Sequence, residues 1–475
     1  MITFLISLAI LLAGYIFYSK YLERLMEVDP NRPTPAVSMS DGVDFVPMPW
    51  WRVLLIQFLN IAGLGPIFGA IAGALWGPVA FVWIVLGTVF AGAVHDYFSG
   101  MLSVRHNGLS ITEIIGIYLG NITKQVMRVF TVVLLVLVGV VFISGPAGIL
   151  ANLTPDSLHF RFWVWAIFIY YILATMLPID KIIGKIYPIF GLALVFMALS
   201  LIVALIVKGY TLPELTAENW QNFHYDKAKF PIFPMLFITI ACGAISGFHA
   251  TQSPLMARCI GNETEGRRVF YGAMVIEGVV ALIWAAISMS FFGGMRELGE
   301  VMVAQNGNAA WVVNEISNSL LGKFGAILAI LGVVAAPITS GDTAFRSARL
   351  TIGDLLRFNQ KPIKNRLIIT IPLFAIGFML TKINFDVIWR YFAWSNQTLA
   401  TVVLWTITVY LLQKKKPYWI TLLPALFMTS VVTTYIMLAP EGFALSKPIS
   451  YGTGFLTTVA VLIFFVIYKK KIPSK

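Results

Sequence analysis

The stretch PIFPMLFITIACGAISGFHAT, residues 231–251, decides the architecture. It is long and apolar enough to cross a bilayer, yet Gly243 and Gly247 fall where its midpoint should be, among Thr239, Cys242, Ser246 and His249. In hydrocarbon every unpaired backbone group is costly, so an interrupted helix survives only where its freed groups line a cavity or meet a ligand. A second interrupted span, Asn60-Ile-Ala-Gly-Leu-Gly-Pro66, lies five helices earlier. Two broken helices in corresponding halves point to a secondary transporter.

The composition agrees. Of 475 residues, 58% are hydrophobic and only 12% charged, about half the charged share of an ordinary soluble chain. The net charge of +12 does not indicate nucleic acid. Lys and Arg cluster at helix ends, as in Arg346, Arg349, Arg357, Lys361, Lys364 and Arg366, or Lys414 to Lys416, which is the pattern of topology determination. Cys242 falls inside a span and Cys259 in a basic loop, so neither a disulfide framework nor a metal-ligand spacing is present. The opening residues MITFLISLAILLAGYIFYSK lack a charged leading region and a small-x-small cleavage site, and read as a retained helix.

A span needs about 20 mostly apolar residues. Thirteen segments qualify, near 2–19, 53–74, 77–100, 128–151, 161–178, 186–208, 231–251, 269–292, 323–342, 366–382, 386–411, 418–438 and 452–468. With the N-terminus outside, the outer side carries nine of the 34 basic residues: Arg161, Lys208, Lys227, Lys229, Arg296, Lys323, Lys382, Arg390 and Lys447. The excess on the other side sets N-out and C-in, in a bacterial or archaeal cytoplasmic membrane.

Setting the first helix aside, five spans precede the 209–230 loop and five follow it. Five is odd, so the second set is inverted relative to the first, and each set begins with its Gly-rich broken helix. The predicted fold is therefore an all-α polytopic membrane protein with a 5+5 inverted repeat, the LeuT-like plan of the amino acid–polyamine–organocation superfamily. Its divisions are 1–52 (N-terminal helix and cytoplasmic loop), 53–208 (first repeat), 209–230 (extracellular loop), 231–411 (second repeat) and 412–475 (two C-terminal helices and a basic tail).

Several stretches closely resemble the carbon starvation protein A family of peptide and pyruvate transporters. They are Asp29-Pro-Asn-Arg-Pro-Thr-Pro-Ala36, Asp41-Gly-Val-Asp-Phe-Val-Pro47, Ile61-Ala-Gly-Leu-Gly-Pro66, Phe90-Ala-Gly-Ala-Val-His-Asp96 and Phe237-Ile-Thr-Ile-Ala-Cys-Gly-Ala-Ile-Ser-Gly-Phe-His-Ala250. Asp342 with Arg346 and Arg349, then Ser395-Asn-Gln397, complete the set. The chain is compact for that family, and after His249 it reads Thr-Gln-Ser-Pro-Leu-Met-Ala-Arg where a Ser/Gly/Thr-rich turn before a Lys is expected. The resemblance implies uptake of small peptides or short carboxylates such as pyruvate, driven by an ion gradient.

The candidate substrate residues lie on the two breaks and on the tenth core helix. Thr239, Cys242, Ser246 and His249, spaced by three, four and three, would share one helical face. Half-helix ends expose N–H groups that can hold a carboxylate; Gly243-x-x-x-Gly247 is also a helix-packing motif, but the polar stripe and the glycines coincide, which favours the site. Asn60, Gly63 and Gly65 lie on the facing break, where Pro66 removes a donor. Asn396 and Gln397 are read as opening or interrupting the tenth core helix. For a coupling ion, Ala336, Thr339 and Ser340 look like the sodium site of sodium-coupled superfamily members, with Asp342 a near-interface carboxylate. His95-Asp96 offers a proton relay, but adjacent helical residues are expected to face different partners. Glu277 is either a proton carrier or paired with a base.

Rival classes fare worse. Ser340-Gly-Asp342 carries only the final Gly-Asp of the Gly-x-Gly-Asp of membrane aspartyl proteases, and residues 243–247 miss the Gly-x-Ser-Gly of rhomboid-type proteases by one residue. No zinc motif is present, so an intramembrane enzyme is not indicated. An uncoupled facilitator or channel for small organic anions is the other alternative, and inverted halves argue against it. The predicted mechanism is alternating access with bound Na⁺ or H⁺, a small-molecule substrate, the lipid bilayer as surroundings and no other cofactor. Peptide and pyruvate present the same carboxylate, and oligomeric state leaves no trace in the residues.

Overall fold

In the computed structural model the described residues are 1–471 apart from 43, 177, 178, 357, 359 and 361, and every regular element among them is a helix. Arg357, Lys361 and the end of the 161–178 span lie outside the described residues. Nine helices among the described residues are long and apolar enough to cross a membrane, ten if the bent pair Trp50–Ala62 and Gly65–Trp76 counts as one. The expected count of thirteen is therefore not reproduced by length and apolarity, and three segments account for the difference. Phe160–Met176 is short, residues 232–257 are unwound at their centre, and Phe385–Gln413 is diluted by Asn396, Gln397 and threonines. Large apolar side chains such as Ile122, Phe17 and Phe464 stay more than 70% exposed, which is what a lipid-facing surface requires.

The two breaks are real and have different causes. In the first, the helix Trp50–Ala62 stops at Gly63, whose φ of 12° and ψ of −136° are not helical, and resumes at Gly65 after a 53° bend. Pro66 follows without an N–H to donate backward. In the second, a helix over 232–239 ends at Ile240 and Gly247–Ala257 begins after the extended Ser246. Between them Gly243 has φ +92°, a conformation that side chains resist. Thr239, Cys242, Ser246 and His249 thus do not share a helical face. The three-four-three spacing is real in sequence, but the helix that would turn it into a stripe is absent.

The 323–342 span is longer than expected. Its helix runs through Ile330–Val334 and Ala335–Leu356, while Gly322 at φ +59° kinks it away from the residues before. Residues 293–322, read as a loop, contain the helices Met295–Ala304 and 309–321. Asn396 and Gln397 neither open nor interrupt their helix, which is continuous over Phe385–Gln413. Their amides are accommodated because each bonds to the broken backbone opposite.

Candidate functional site

An unwound segment in hydrocarbon must find partners for its freed backbone groups. Here neighbouring helices supply them. Trp83 Nε1 donates to the Ile240 carbonyl at 3.0 Å and Thr88 Oγ1 to the Gly243 carbonyl at 2.9 Å, both from the helix Val79–Arg105. Gln397 Nε2 donates to the Phe237 carbonyl at 3.2 Å. Asn396 Oδ1 accepts the Phe248 N–H at 2.9 Å and the Ser246 hydroxyl at 3.2 Å. Two of the half-helix N–H groups that could hold a substrate carboxylate are therefore engaged in this conformation. Asn396 takes that of Phe248, and the Ser246 carbonyl takes that of His249 at 3.2 Å.

The two breaks press on each other. A Cβ at Gly65 would stand 2.1 Å from that of Cys242, and one at Gly63 would stand 2.4 Å from the Phe142 ring. Asn60, at the end of the first half-helix, is fully buried and neither of its amide atoms has a hydrogen-bond partner. Thr239, only half-buried, lines a cavity of 610 Å³ together with Phe68, Trp76 and residues of the 209–230 loop.

On the other side of the unwound segment lies a buried ionisable line. His249 Nδ1 is 2.9 Å from Asp96 Oδ2, and its Nε2 is 3.4 Å from Glu277 Oε2. His95 Nδ1 is 2.7 Å from Asp96 Oδ1. All four side chains have no exposed surface. The expectation that His95 and Asp96 serve different partners is corrected. The Asp96 carboxylate is short enough to turn one oxygen back to its neighbour and the other across to His249. Glu277 had no identified base in the sequence, and it lies opposite His249. Cys242 Sγ sits 3.5 Å from Ser246 Oγ, and Cys242, His249 and Glu277 each bring one atom within 4.8 Å of the others. His249 Nε2 and Glu277 Oε2 form the 3.4 Å ion-pair contact of that line, without a hydrogen bond between them.

The second cluster lies where the helix Ala335–Leu356 meets the first break. Ser340 Oγ donates to the Leu59 carbonyl at 2.8 Å and is 3.0 Å from the Ala336 carbonyl, to which Thr339 Oγ1 donates at 2.6 Å. The carbonyl drawn from the first broken helix is that of Leu59, one residue before Asn60. Asp342 Oδ2 accepts from Tyr187 OH at 3.0 Å, while Arg346 Nη2 donates to the Ala174 carbonyl at 3.2 Å.

Sequence reasoning missed Trp83, Thr88, Leu59 and Tyr187. Only the first two carry a signal, an indole and a hydroxyl in an otherwise apolar span one helix after a break. Gln57 Nε2, 3.5 Å from Ser253 Oγ, and Gln252 Nε2, 3.4 Å from Ser347 Oγ, extend the polar column towards the 258–262 loop. There Glu263, 1% exposed, accepts from Arg105, from Arg32 Nη1 at 3.1 Å and from the Asp29 N–H at 3.1 Å.

A polytopic helical protein whose two broken helices meet over buried ionisable groups has the architecture of a LeuT-like secondary transporter. The fold is similar to that of a mutant form of the Eremococcus coleocola manganese transporter (TM-score 0.54, 14% identity, 92% of this chain and 100% of that one). It is equally similar to a Na⁺-coupled sialic acid symporter (TM-score 0.54, 13% identity, 97% and 95%).

The chain belongs to the carbon starvation protein CstA family, whose model matches residues 1–158, 152–320 and 295–435. A membrane protein of Haemophilus influenzae is 44% identical over 64% of this chain and 95% of its own. The Campylobacter jejuni peptide transporter CstA is 26% identical over 94% of this chain and 81% of its own length. The Escherichia coli pyruvate/proton symporter BtsT is 29% identical over 58% of this chain and 47% of its own.

Proposed function

We propose that the chain is a secondary active transporter that imports a small carboxylate-bearing nutrient, a short peptide or pyruvate, by proton-coupled alternating access. The observation that carries this reading is the buried line Glu277, His249, Asp96 and His95, which abuts the unwound segment of the second broken helix. A proton added to or taken from such a dry site changes its net charge, and a charge change there is costly unless the surroundings rearrange. Because His249 rides on the half-helix Gly247–Ala257 while Asp96 and Glu277 sit on other helices, protonation biases how these elements pack. The relatives support the substrate class, since one is named a peptide transporter and another a pyruvate/proton symporter.

The substrate sits between the breaks, touching Thr239, Gly243 and Ser246 on one side and Asn60, Gly63 and Gly65 on the other. Cys242, Asn396 and Gln397 brace that contact. Asn60, with its unengaged amide, is the first candidate to receive a carboxylate oxygen. With the N-terminus outside, the 610 Å³ cavity beside the 209–230 loop opens outward, so this conformation faces the exterior of the cytoplasmic membrane. Four helices then rock against the rest to expose the site inside.

A second reading, sodium coupling, is favoured by one observation. The carbonyls of Leu59 and Ala336 and the hydroxyls of Thr339 and Ser340 converge as oxygen donors suited to a hard cation, with Asp342 nearby.

Uptake of labelled pyruvate into proteoliposomes under an imposed H⁺ or Na⁺ gradient, with unlabelled di- and tripeptides as competitors, separates these readings. Accumulation driven by an inward proton gradient and abolished in His249→Asn is the expected result. Accumulation driven by Na⁺ alone moves coupling to Thr339 and Ser340. Flux that never exceeds equilibrium under either gradient overturns the symporter reading in favour of a facilitator.

A further inference from the structure

The 610 Å³ cavity is far larger than a three-carbon acid needs and is of the size that holds drug-sized ligands. Its wall carries eight aromatic side chains, Phe68, Trp76, Phe160 and Trp389 among them, beside the polar Gln305, Asn306 and Asn308, and it descends to Thr239 at the end of the helix over 232–239. Among the described lining residues the ionisable groups are His224, Tyr225, Arg390 and Tyr435. Burial lowers His224 to about 4, so it is neutral at pH 7, and Arg390 supplies the one full charge. Arg390 Nε stands 3.5 Å from Glu441 Oε2, an ion pair without a hydrogen bond, and Glu441, 5% exposed, accepts from Tyr435 OH. A guanidinium has five N–H donors. The Glu441 contact involves one of them, and Arg390 keeps 39% of its side-chain surface.

We propose that this vestibule is a further binding site, adjoining at Thr239 the one between the helix breaks, in which Arg390 holds a carboxylate and the aromatic side chains take an apolar or aromatic group on the same ligand. Such a ligand is a short peptide bearing an apolar residue or an aromatic 2-oxo acid, and the two share the recognised chemistry. A fork of donors matches a carboxylate in two-pronged fashion, and Trp389 is tied into the wall by Phe68 at 5.9 Å and Phe392 at 5.3 Å between ring centres. The site acts as a selectivity stage ahead of transport, so it rests on the transporter reading for its purpose but not for its existence.

The test uses the full chain in nanodiscs, with binding read by tryptophan fluorescence and by calorimetry. The probes are Ala-Phe, Ala-Phe amide, phenylpyruvate and pyruvate. Ala-Phe and phenylpyruvate should bind the wild type, Ala-Phe amide at least about tenfold more weakly, and pyruvate more weakly than phenylpyruvate. Arg390→Gln should erase the preference for acid over amide, and Arg390→Lys should restore part of it because the charge returns without the fork. Binding of only one of the two acids assigns the site to that source. An amide that binds the wild type as tightly as the acid overturns the proposal, as does an acid preference that survives in Arg390→Gln. Should Arg390→Gln not fold, Arg390→Lys takes its place, and an acid preference undiminished in it overturns the proposal. Absence of gradient-driven uptake, with acid-selective binding intact, would count against the transporter reading and leave this site standing.

Discussion

Replacing Gly243 by alanine tests whether the shape of the unwound segment makes the site. Two independent costs follow from the geometry. At φ +92° an alanine is outside the regions open to side chains, which costs about 1–3 kcal/mol. Its Cβ would also stand 2.5 Å from the Cβ of Ala281, and relieving such overpacking in a close-packed interior costs about 1–3 kcal/mol more. The total, about 2–6 kcal/mol, falls on the segment whose carbonyl binds Thr88 and whose flanks hold Cys242 and Ser246. Even the lower end corresponds to about a 30-fold loss of apparent substrate affinity if the segment yields locally.

The assay is half-saturation of pyruvate and alanyl-alanine uptake in proteoliposomes, with thermal unfolding of the same preparations in detergent. The companion Gly243→Ala/Ala281→Gly removes the clash but not the backbone strain, so it should recover only the packing share. Gly243→Leu, which thrusts a branched side chain towards Pro66 and Ala281, should abolish uptake while the chain still inserts into the membrane. Wild-type affinity and melting in Gly243→Ala would refute the reasoning, because neither cost could then be present.

Other substitutions probe the charged line, the second cluster and the loops. Asp96→Asn keeps the shape but offers a single acceptor to His95 and His249, so concentrative uptake under a proton gradient should vanish while substrate counterflow persists, and normal accumulation would remove Asp96 from the coupling path. Ser340→Ala leaves the Leu59 carbonyl without its donor at a cost of about 1–3 kcal/mol, which should lower the melting temperature yet spare proton-driven accumulation; loss of accumulation would return the coupling role to sodium. Glu263→Ala removes the buried acceptor of the partly exposed Arg105 and Arg32 and should destabilise the chain by about 1.5–3 kcal/mol, read as a fall in detergent melting temperature. Burial pushes the Cys259 thiol up to about 12, so at pH 8 its thiolate fraction is ~10⁻⁴, and maleimide should label it roughly 10³-fold more slowly than a free cysteine in a Cys242→Ser background; fast labelling would show that the 258–262 loop is open.

Much of this was legible in the residues. Both helix breaks were, because glycine and proline in the middle of an apolar run are local signals that no neighbour is needed to interpret. The family was too, on the 237–250 block and its companions. The site was only half legible. The spacing of Thr239, Cys242, Ser246 and His249 suggested a helical stripe, but Ile240 to Ser246 is unwound, and the residues converge through a turn at Gly243. Asn396 and Gln397 stood out as polar groups in a membrane, but their task, capping the backbone of the opposite break, depends on a contact across 148 positions or more of sequence.

The sequence by itself determined that this chain is a helical membrane protein with two interrupted spans, since hydropathy and backbone conformational limits act locally and are written residue by residue. Only the tertiary structure decided which buried charge answers which. Glu277 read as a proton carrier or the partner of an unseen base and His249 as one of a substrate-binding set, whereas packing sets them 3.4 Å apart with Asp96 at the far nitrogen. Ionisable groups are tolerated in hydrocarbon when a partner lies within a few ångströms, and that partner comes from another helix, at a sequence separation no local pattern encodes.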